Sequence, residues 1–411
     1  MFCIPNILVR TQARSSLVSV PLQAQTTSMR FTLPLLSLAL SGASARHPNR
    51  LCSNVSFEVP VISENVVFLF PPDPNNSSNI IHFLQEAWRG NFPVISGTTA
   101  VTDTYTIKGT YCEPDHFTPH KPRTLEVLVH GITYNRAMWS GFGRSEYNWH
   151  ASATERGYAT LALDRLGHGD SPERPDPLSV VQPQLHLEII HHIISAVRRR
   201  PGQCGRNSQV NTLGTEFDKI VYVGHSLGSF LGAALAAKYP ADADALVLTA
   251  YNAVHIDFSD VLAAKWVSAA DLDPARFGAG LARGYVTLGK EEERTKAFFR
   301  GGYDPAIPKL DFKHEDTLTS GEIGALAALL SGGPAVEYKG LVMVATAVED
   351  SFFCEEPAEK CEEHLVATGG WFPDAKSYDF FAPRNTGHDL TLHYSARDTF
   401  EKVHNWLDEK L

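Results

Sequence analysis

The chain has 411 residues, 43% hydrophobic, 20% charged and 10% aromatic, a globular composition with room for one large core or two domains. That balance excludes the disordered, collagenous and disulfide-scaffold classes, and a net charge of -10 argues against a nucleic-acid partner. The first 45 residues hold Arg10, Arg14 and Arg30 and no acid, so residues 46–411 carry 33 basic against 46 acidic side chains, a net charge of -13.

Residues 1–28 are an acid-free leader. From Met29 the chain reads MRFTLPLLSLALSGASA, an Arg, then an apolar run, then small residues at 43–45. This is the pattern of a secretory signal peptide over 29–45, with a mature start at Arg46, and the apolar run is about half the length of a membrane span. The expectation is a secreted protein that starts at Met29. If Met1 is the start, the leader reads instead as a mitochondrial transit peptide. Asn54, Asn75 and Asn76 head glycosylation sequons, consistent with secretion. Without Cys3, five cysteines remain, and the expected pairs are Cys52 with Cys112 and Cys354 with Cys361, buried free thiols being the alternative. No Cys and His spacing suggests zinc.

Residues 46–123 read as short strands and turns, with a surface loop at 71–76. The pattern then changes. Apolar runs at 124–129, 158–163, 219–223, 245–249, 340–345 and 377–381 alternate with helical stretches, which predicts a mostly parallel sheet covered by helices on both faces. Amphipathic helices are expected over 182–200 and 394–411. His186, His191 and His192 on the first match no metal motif and are assigned a solvated or packing role. Residues 124–250 and 340–411 would form the two parts of this core. Between them, 251–339 is too long for a loop and is expected to be a helical cap, with Phe258, Trp266, Phe277, Tyr285, Phe298, Phe299 and Tyr303 on its underside.

The sharpest local signal is Gly224-His225-Ser226-Leu227-Gly228 between an apolar run and an Ala-rich helix. A G-x-S-x-G turn there lifts the Ser hydroxyl above the sheet edge, so Ser226 is the expected nucleophile. Attack on a carbonyl creates an oxyanion that needs preorganised donors. The Leu227 N–H is one, and the Ile132 N–H, freed by Gly131 in Val129-His130-Gly131-Ile132, is the other; His130 itself is assigned a structural hydrogen bond. A Ser hydroxyl also needs a base oriented by a carboxylate. His388, in a loop after the last strand, suits the base better than His393. Asp350 is the preferred acid, with Glu349 as its alternative and Asp257 or Asp260 behind them. Asp164-Arg165-Leu166-Gly167-His168-Gly169-Asp170-Ser171 reads as a loop beside the site whose charges pair among themselves.

With His130-Gly131, Asp164 to Gly169, Gly224 to Gly228, Asp350 and Gly387-His388 in this order, the chain resembles the α/β-hydrolase superfamily from about Thr124 to the C-terminus. The stretches 129–135 and 386–390 are also similar to those of secreted fungal members. The resemblance implies an α/β-hydrolase fold with a Ser-His-Asp triad and no metal or organic cofactor. Glu349 stays open as the acid, because the segment before Asp350 reads Ala347-Val348-Glu349 where many members carry a Gly three residues before the acid. The expected activity is hydrolysis of a small to medium apolar carboxylic ester or lactone through an acyl-enzyme. The alternatives are the same triad turned to amide or carbon-carbon bond hydrolysis, or to a tailoring or cyclisation step in fungal secondary metabolism. A further alternative is a non-catalytic binding protein. Epoxide hydrolase and dehalogenase chemistry is disfavoured, because those relatives carry Asp where Ser226 stands.

Overall fold

The computed structural model describes residues 8–9, 52–117, 122–198, 213, 217–354 and 357–411. The expected signal peptide at 29–45 and Cys204 lie outside the described residues, as does the leader apart from Leu8–Val9. Among the described residues no helix is long and apolar enough to cross a membrane.

A nine-stranded sheet organises the molecule. Its strands are β1 (Leu8–Val9), β2 (Cys52–Phe68), β3 (Ile95–Cys112), β4 (Thr124–Val129), β5 (Ala159–Leu163), β6 (Lys219–His225), β7 (Ala245–Thr249), β11 (Leu341–Ala345) and β12 (Ser377–Phe381). In space they lie in the order β1-β2-β3-β5-β4-β6-β7-β11-β12. From β5 to β12 every neighbouring pair is parallel, while β1, β2 and β3 join antiparallel. Strands β4, β5, β7 and β11 are buried at every residue, which is why they read as continuous apolar runs rather than as alternating ones.

The lead-in differs from the expected short strands. β2 and β3 form one long antiparallel pair, from Cys52 opposite Cys112 to Phe68 opposite Ile95, and β3 joins β5 only over Gly109–Cys112. The far half of β3 therefore reaches beyond the main sheet. Its residues there are exposed on both faces, so Thr-rich sequence without clean alternation still forms strand. Between β2 and β3 an unforeseen helix, Ser77–Trp88, starts where the Asn76 side chain accepts from the Asn79 N–H. It buries Ile80, Leu84, Ala87 and Trp88 on one face. Both expected disulfides are formed, Cys52–Cys112 and Cys354–Cys361.

The insertion after β7 is not purely helical. Short helices accompany a three-stranded antiparallel sheet of β8 (Trp266–Ser268), β9 (Tyr285–Leu288) and β10 (Leu318–Thr319). Strands of two to four residues fall below what periodicity detects. Of the expected aromatic underside, Trp266, Tyr285, Phe298 and Phe299 are buried, and Phe258 and Tyr303 pack partly against the core. Phe277 has no buried place.

Candidate active site

Ser226 stands between the end of β6 and the Leu227–Lys238 helix with φ 54° and ψ -117°, a left-handed backbone uncommon for a residue with a side chain. The strain is held by neighbours: the Ser226 N–H donates to the Thr249 carbonyl at 3.0 Å, and its carbonyl accepts from the Ser229 and Phe230 N–H groups. Close packing requires Gly228, because a Cβ there would sit 2.1 Å from the Val129 carbonyl oxygen. This turn places Ser226 at the carboxyl ends of the parallel strands, where ligands bind in open α/β sheets.

His388 lies in the loop after β12, and its Nδ1 meets Asp350 Oδ2 at 3.0 Å. Asp350, fully buried beyond β11, also accepts from the Phe352 N–H through Oδ1. Burial opposes a charge on His388, but Asp350 and Asp389 outweigh it and raise its pKa above the ordinary 6.5. Phe298, Phe352 and Phe353 surround the His388 ring at centroid distances of 5.6, 4.5 and 5.6 Å. The His388 ring lies 5.1 Å, centroid to centroid, from that of His225, the residue before Ser226, so the His388–Asp350 pair stands beside the Ser226 turn.

The rival acids and base have other partners. Glu349 accepts from the Thr386 N–H at 2.9 Å and so braces the loop that carries His388 without touching the ring. Asp257 bonds Ser259, Asp260 pairs with Arg300, and His393 spans the Asp389 and Arg300 carbonyls.

Gly131 packs directly against the turn: a Cβ on it would meet the Ser226 Cβ at 3.0 Å. Neither the Ile132 nor the Leu227 N–H donates to any described residue, and Leu227 opens its helix, where N–H groups have no partner along the helix. His130 is fully buried, its Nε2 accepting from the Arg165 N–H at 3.1 Å and its Nδ1–H donating to the Gly131 carbonyl at 2.8 Å. Burial, with Arg165 and His168 nearby, keeps this imidazole neutral.

The loop after β5 does not pair its charges internally as expected. Arg136, from beyond the Gly131 loop, takes Asp164 and Asp170. Arg165 instead donates Nε to the His130 carbonyl at 3.2 Å and Nη2 to the Gly131 carbonyl at 3.0 Å, while its Nη1 pairs with Glu322 of the insertion. Glu322 also meets His168 Nε2 at 3.2 Å and His186 Nε2 at 3.0 Å. His186 is thus a buried polar partner, not the solvated or merely packed residue expected, whereas His191 bonds Asp242 and stacks on Tyr239. One sequence signal marked Glu322: Thr319-Ser320-Gly321-Glu322 is a capping box, and the Thr319 N–H and hydroxyl hold the Glu322 carboxylate and N–H in turn.

A second buried network went unread. Asp389 accepts from the Tyr134 hydroxyl and meets His225 Nε2 at 3.2 Å, and His225 Nδ1 meets the Thr249 hydroxyl at 3.0 Å. His225, His388 and Asp389, and separately His168, His186 and Glu322, offer ligand atoms at metal-binding spacing. In the second group the Arg165 guanidinium already lies against the same atoms, so a metal ion would have to displace a cation. One turn into the helix after Ser226, Phe230 borders a largely apolar cavity of about 420 Å³ with Leu187, Ala233, Tyr251 and Trp371.

The model of the alpha/beta hydrolase family matches residues 127–403. No curated protein matches the sequence. Among solved structures, the chain is similar to a thermophilic esterase from Thermogutta terrifontis, with 15% identity, 74% of this chain and 94% of that one covered, and a TM-score of 0.49. It is also similar to a monoacylglycerol lipase from Paleococcus ferrophilus, with 16% identity, 70% and 95% covered, and a TM-score of 0.45. An epoxide hydrolase from Vigna radiata gives 14% identity, 74% and 95% covered, and a TM-score of 0.47. Since the family match runs from β4 into the C-terminal helix and takes in every element that builds the site, this chain belongs to the alpha/beta hydrolase family.

Proposed function

We propose that the protein is a serine hydrolase that cleaves small to medium apolar carboxylic esters or lactones through an acyl-enzyme. The observation that carries this reading is the strained Ser226 turn, packed against Gly131 in the same site as the buried His388–Asp350 pair. His388 Nδ1–H donates to Asp350, which leaves Nε2 as the lone pair that takes the Ser226 proton as its oxygen attacks the carbonyl carbon. The negative oxygen of the tetrahedral intermediate is held by the Ile132 and Leu227 N–H groups. Protonated His388 then gives its proton to the leaving alkoxide. Water, deprotonated by the same imidazole, releases the acid and restores Ser226. Phe298, Phe352 and Phe353 around the His388 ring favour an apolar acyl or alcohol part.

The test combines labelling and turnover. A fluorophosphonate probe is expected to attach to Ser226, located by mass spectrometry. Ser226→Ala is expected to lose the label and at least about 10⁴-fold in kcat/KM on aryl esters of graded acyl length. Full activity in that variant, or turnover of amides but not of matched esters, would sink the ester reading. We further propose that the protein is secreted and glycosylated, in line with the signal-like segment at 29–45 and with Asn54, Asn75 and Asn76, all exposed. N-terminal sequencing of material from the culture medium should begin at Arg46.

A further inference from the structure

Peptide groups are planar and trans, so the carbonyl and N–H of the Gly131–Ile132 unit point in opposite directions. Its carbonyl receives two donors, His130 Nδ1–H at 2.8 Å and Arg165 Nη2–H at 3.0 Å. Fixing that oxygen on the Arg165 side turns the Ile132 N–H the other way and leaves it free. Arg165 is itself oriented by Glu322, whose side chain has no solvent exposure. Glu322 belongs to the insertion, in the short helix that follows β10, and its capping box sets its direction. The chain of contacts thus runs from the cap, through one buried ion pair, to the peptide that packs on the nucleophile's turn.

We propose that Glu322 is a positioning residue for the oxyanion site: by holding Arg165 against the Gly131 carbonyl, it makes docking of the cap and orientation of the Ile132 N–H a single event. This rests on the serine-hydrolase reading for its catalytic consequence, but the coupling itself is structural. His168 and His186 complete the shell around the carboxylate, so loss of its charge leaves Arg165 without its only described carboxylate partner. A guanidinium freed from Glu322 keeps only its bonds to the His130 and Gly131 carbonyls, so the peptide it holds is less firmly fixed.

The experiment compares the full chain with Glu322→Gln, Arg165→Lys and, as a cap control, Arg283→Ala, which breaks an exposed pair with Asp271. Hydrogen–deuterium exchange of the peptide over 127–134 is read alongside ester kinetics. Glu322→Gln should speed exchange at Ile132 and lower kcat by about 10- to 100-fold, less than outright loss of an oxyanion donor, with KM changed by no more than about threefold. Arg165→Lys should do the same, because an ammonium cannot hold Glu322 and both carbonyls at once, and it decides the case if Glu322→Gln does not fold. Arg283→Ala should match the native chain in both readouts. Unchanged exchange over 127–134 in a folded variant overturns the inference, as does a rise in KM with kcat intact. Failure of the native chain to label at Ser226 overturns the hydrolase reading alone, since exchange still decides the coupling.

Discussion

At the scale of single residues, proton ownership decides what the site can do. His388 carries two neighbouring carboxylates, Asp350 in contact and Asp389 next in the chain, so its cationic form is favoured despite burial. As the proposed base it works only when neutral. The kcat/KM profile should therefore rise with pH through a value above 6.5. Asp350→Asn should move that limb to lower pH and cut kcat by about 10⁴-fold, whereas Glu349→Gln should cost less than about tenfold, as measured by pH-resolved ester kinetics. The linkage has the opposite sign for stability. A histidine whose folded pKa is raised stabilises the fold below its unfolded value and loses that contribution as pH climbs through the folded one. The state needed for catalysis is thus the one in which the His388–Asp350 pair contributes least. Ser226, Gly131 and His388 were legible as residues because turn chemistry and loop position mark them. Glu322 and Asp389 were not, because a buried carboxylate is recognised by partners more than a hundred residues away.

At the scale of elements, the insertion is fixed to the core by charges it buries. Arg294, from the Glu291–Phe298 helix, lies between Asp311 and Thr133 and stacks on Tyr134. Glu315, at the end of the Ala306–His314 helix, is 4% exposed, and its carboxylate lies 3.7 and 3.8 Å from Arg276 and Arg294. Burial pushes its pKa from 4.5 up to about 7, against the pull of the two arginines. Between those values the folded chain keeps a proton that the unfolded chain has released, so stability should fall as pH rises from 4.5 to 7. Glu315→Gln should remove about 2 to 3 kcal/mol of that fall, read from urea unfolding at pH 5 and pH 7. Legibility among the elements follows the density of apolar and aromatic residues. β4 and β7, buried throughout, and the partly buried β12 with its three aromatic residues were placed to the residue, while β2 and β3, wet along part of their length, and the short cap strands lacked such a run.

At the scale of the whole molecule, two crosslinks of different reach secure the lead-in and the region after β11. Cys52–Cys112 spans 60 residues and Cys354–Cys361 only 7. Loop entropy makes the first the stronger constraint on the unfolded chain. Replacing Cys52 and Cys112 together by Ser should cost about 2 to 4 kcal/mol in chemical denaturation, and the same change at Cys354 and Cys361 clearly less. The run of parallel strands from β4 to β12 was legible because the chain alternates strand and helix there, which sets the candidate residues Ser226, Asp350 and His388 after β6, β11 and β12. The extent of the β2–β3 pair was not, since antiparallel pairing depends on partners that local periodicity does not name.

The Tyr134–Asp389 contact joins residues 255 positions apart, and His404 of the final helix reaches Glu126 across 278. Contacts so distant in sequence form late, after much of the chain has already been ordered. During synthesis, a ribosome-bound chain that has exposed Ser226 still lacks the segment carrying His388. The proposed base and the helix that seats its loop follow Ser226 by more than 160 residues, so the proposed chemistry there waits for a late-made segment.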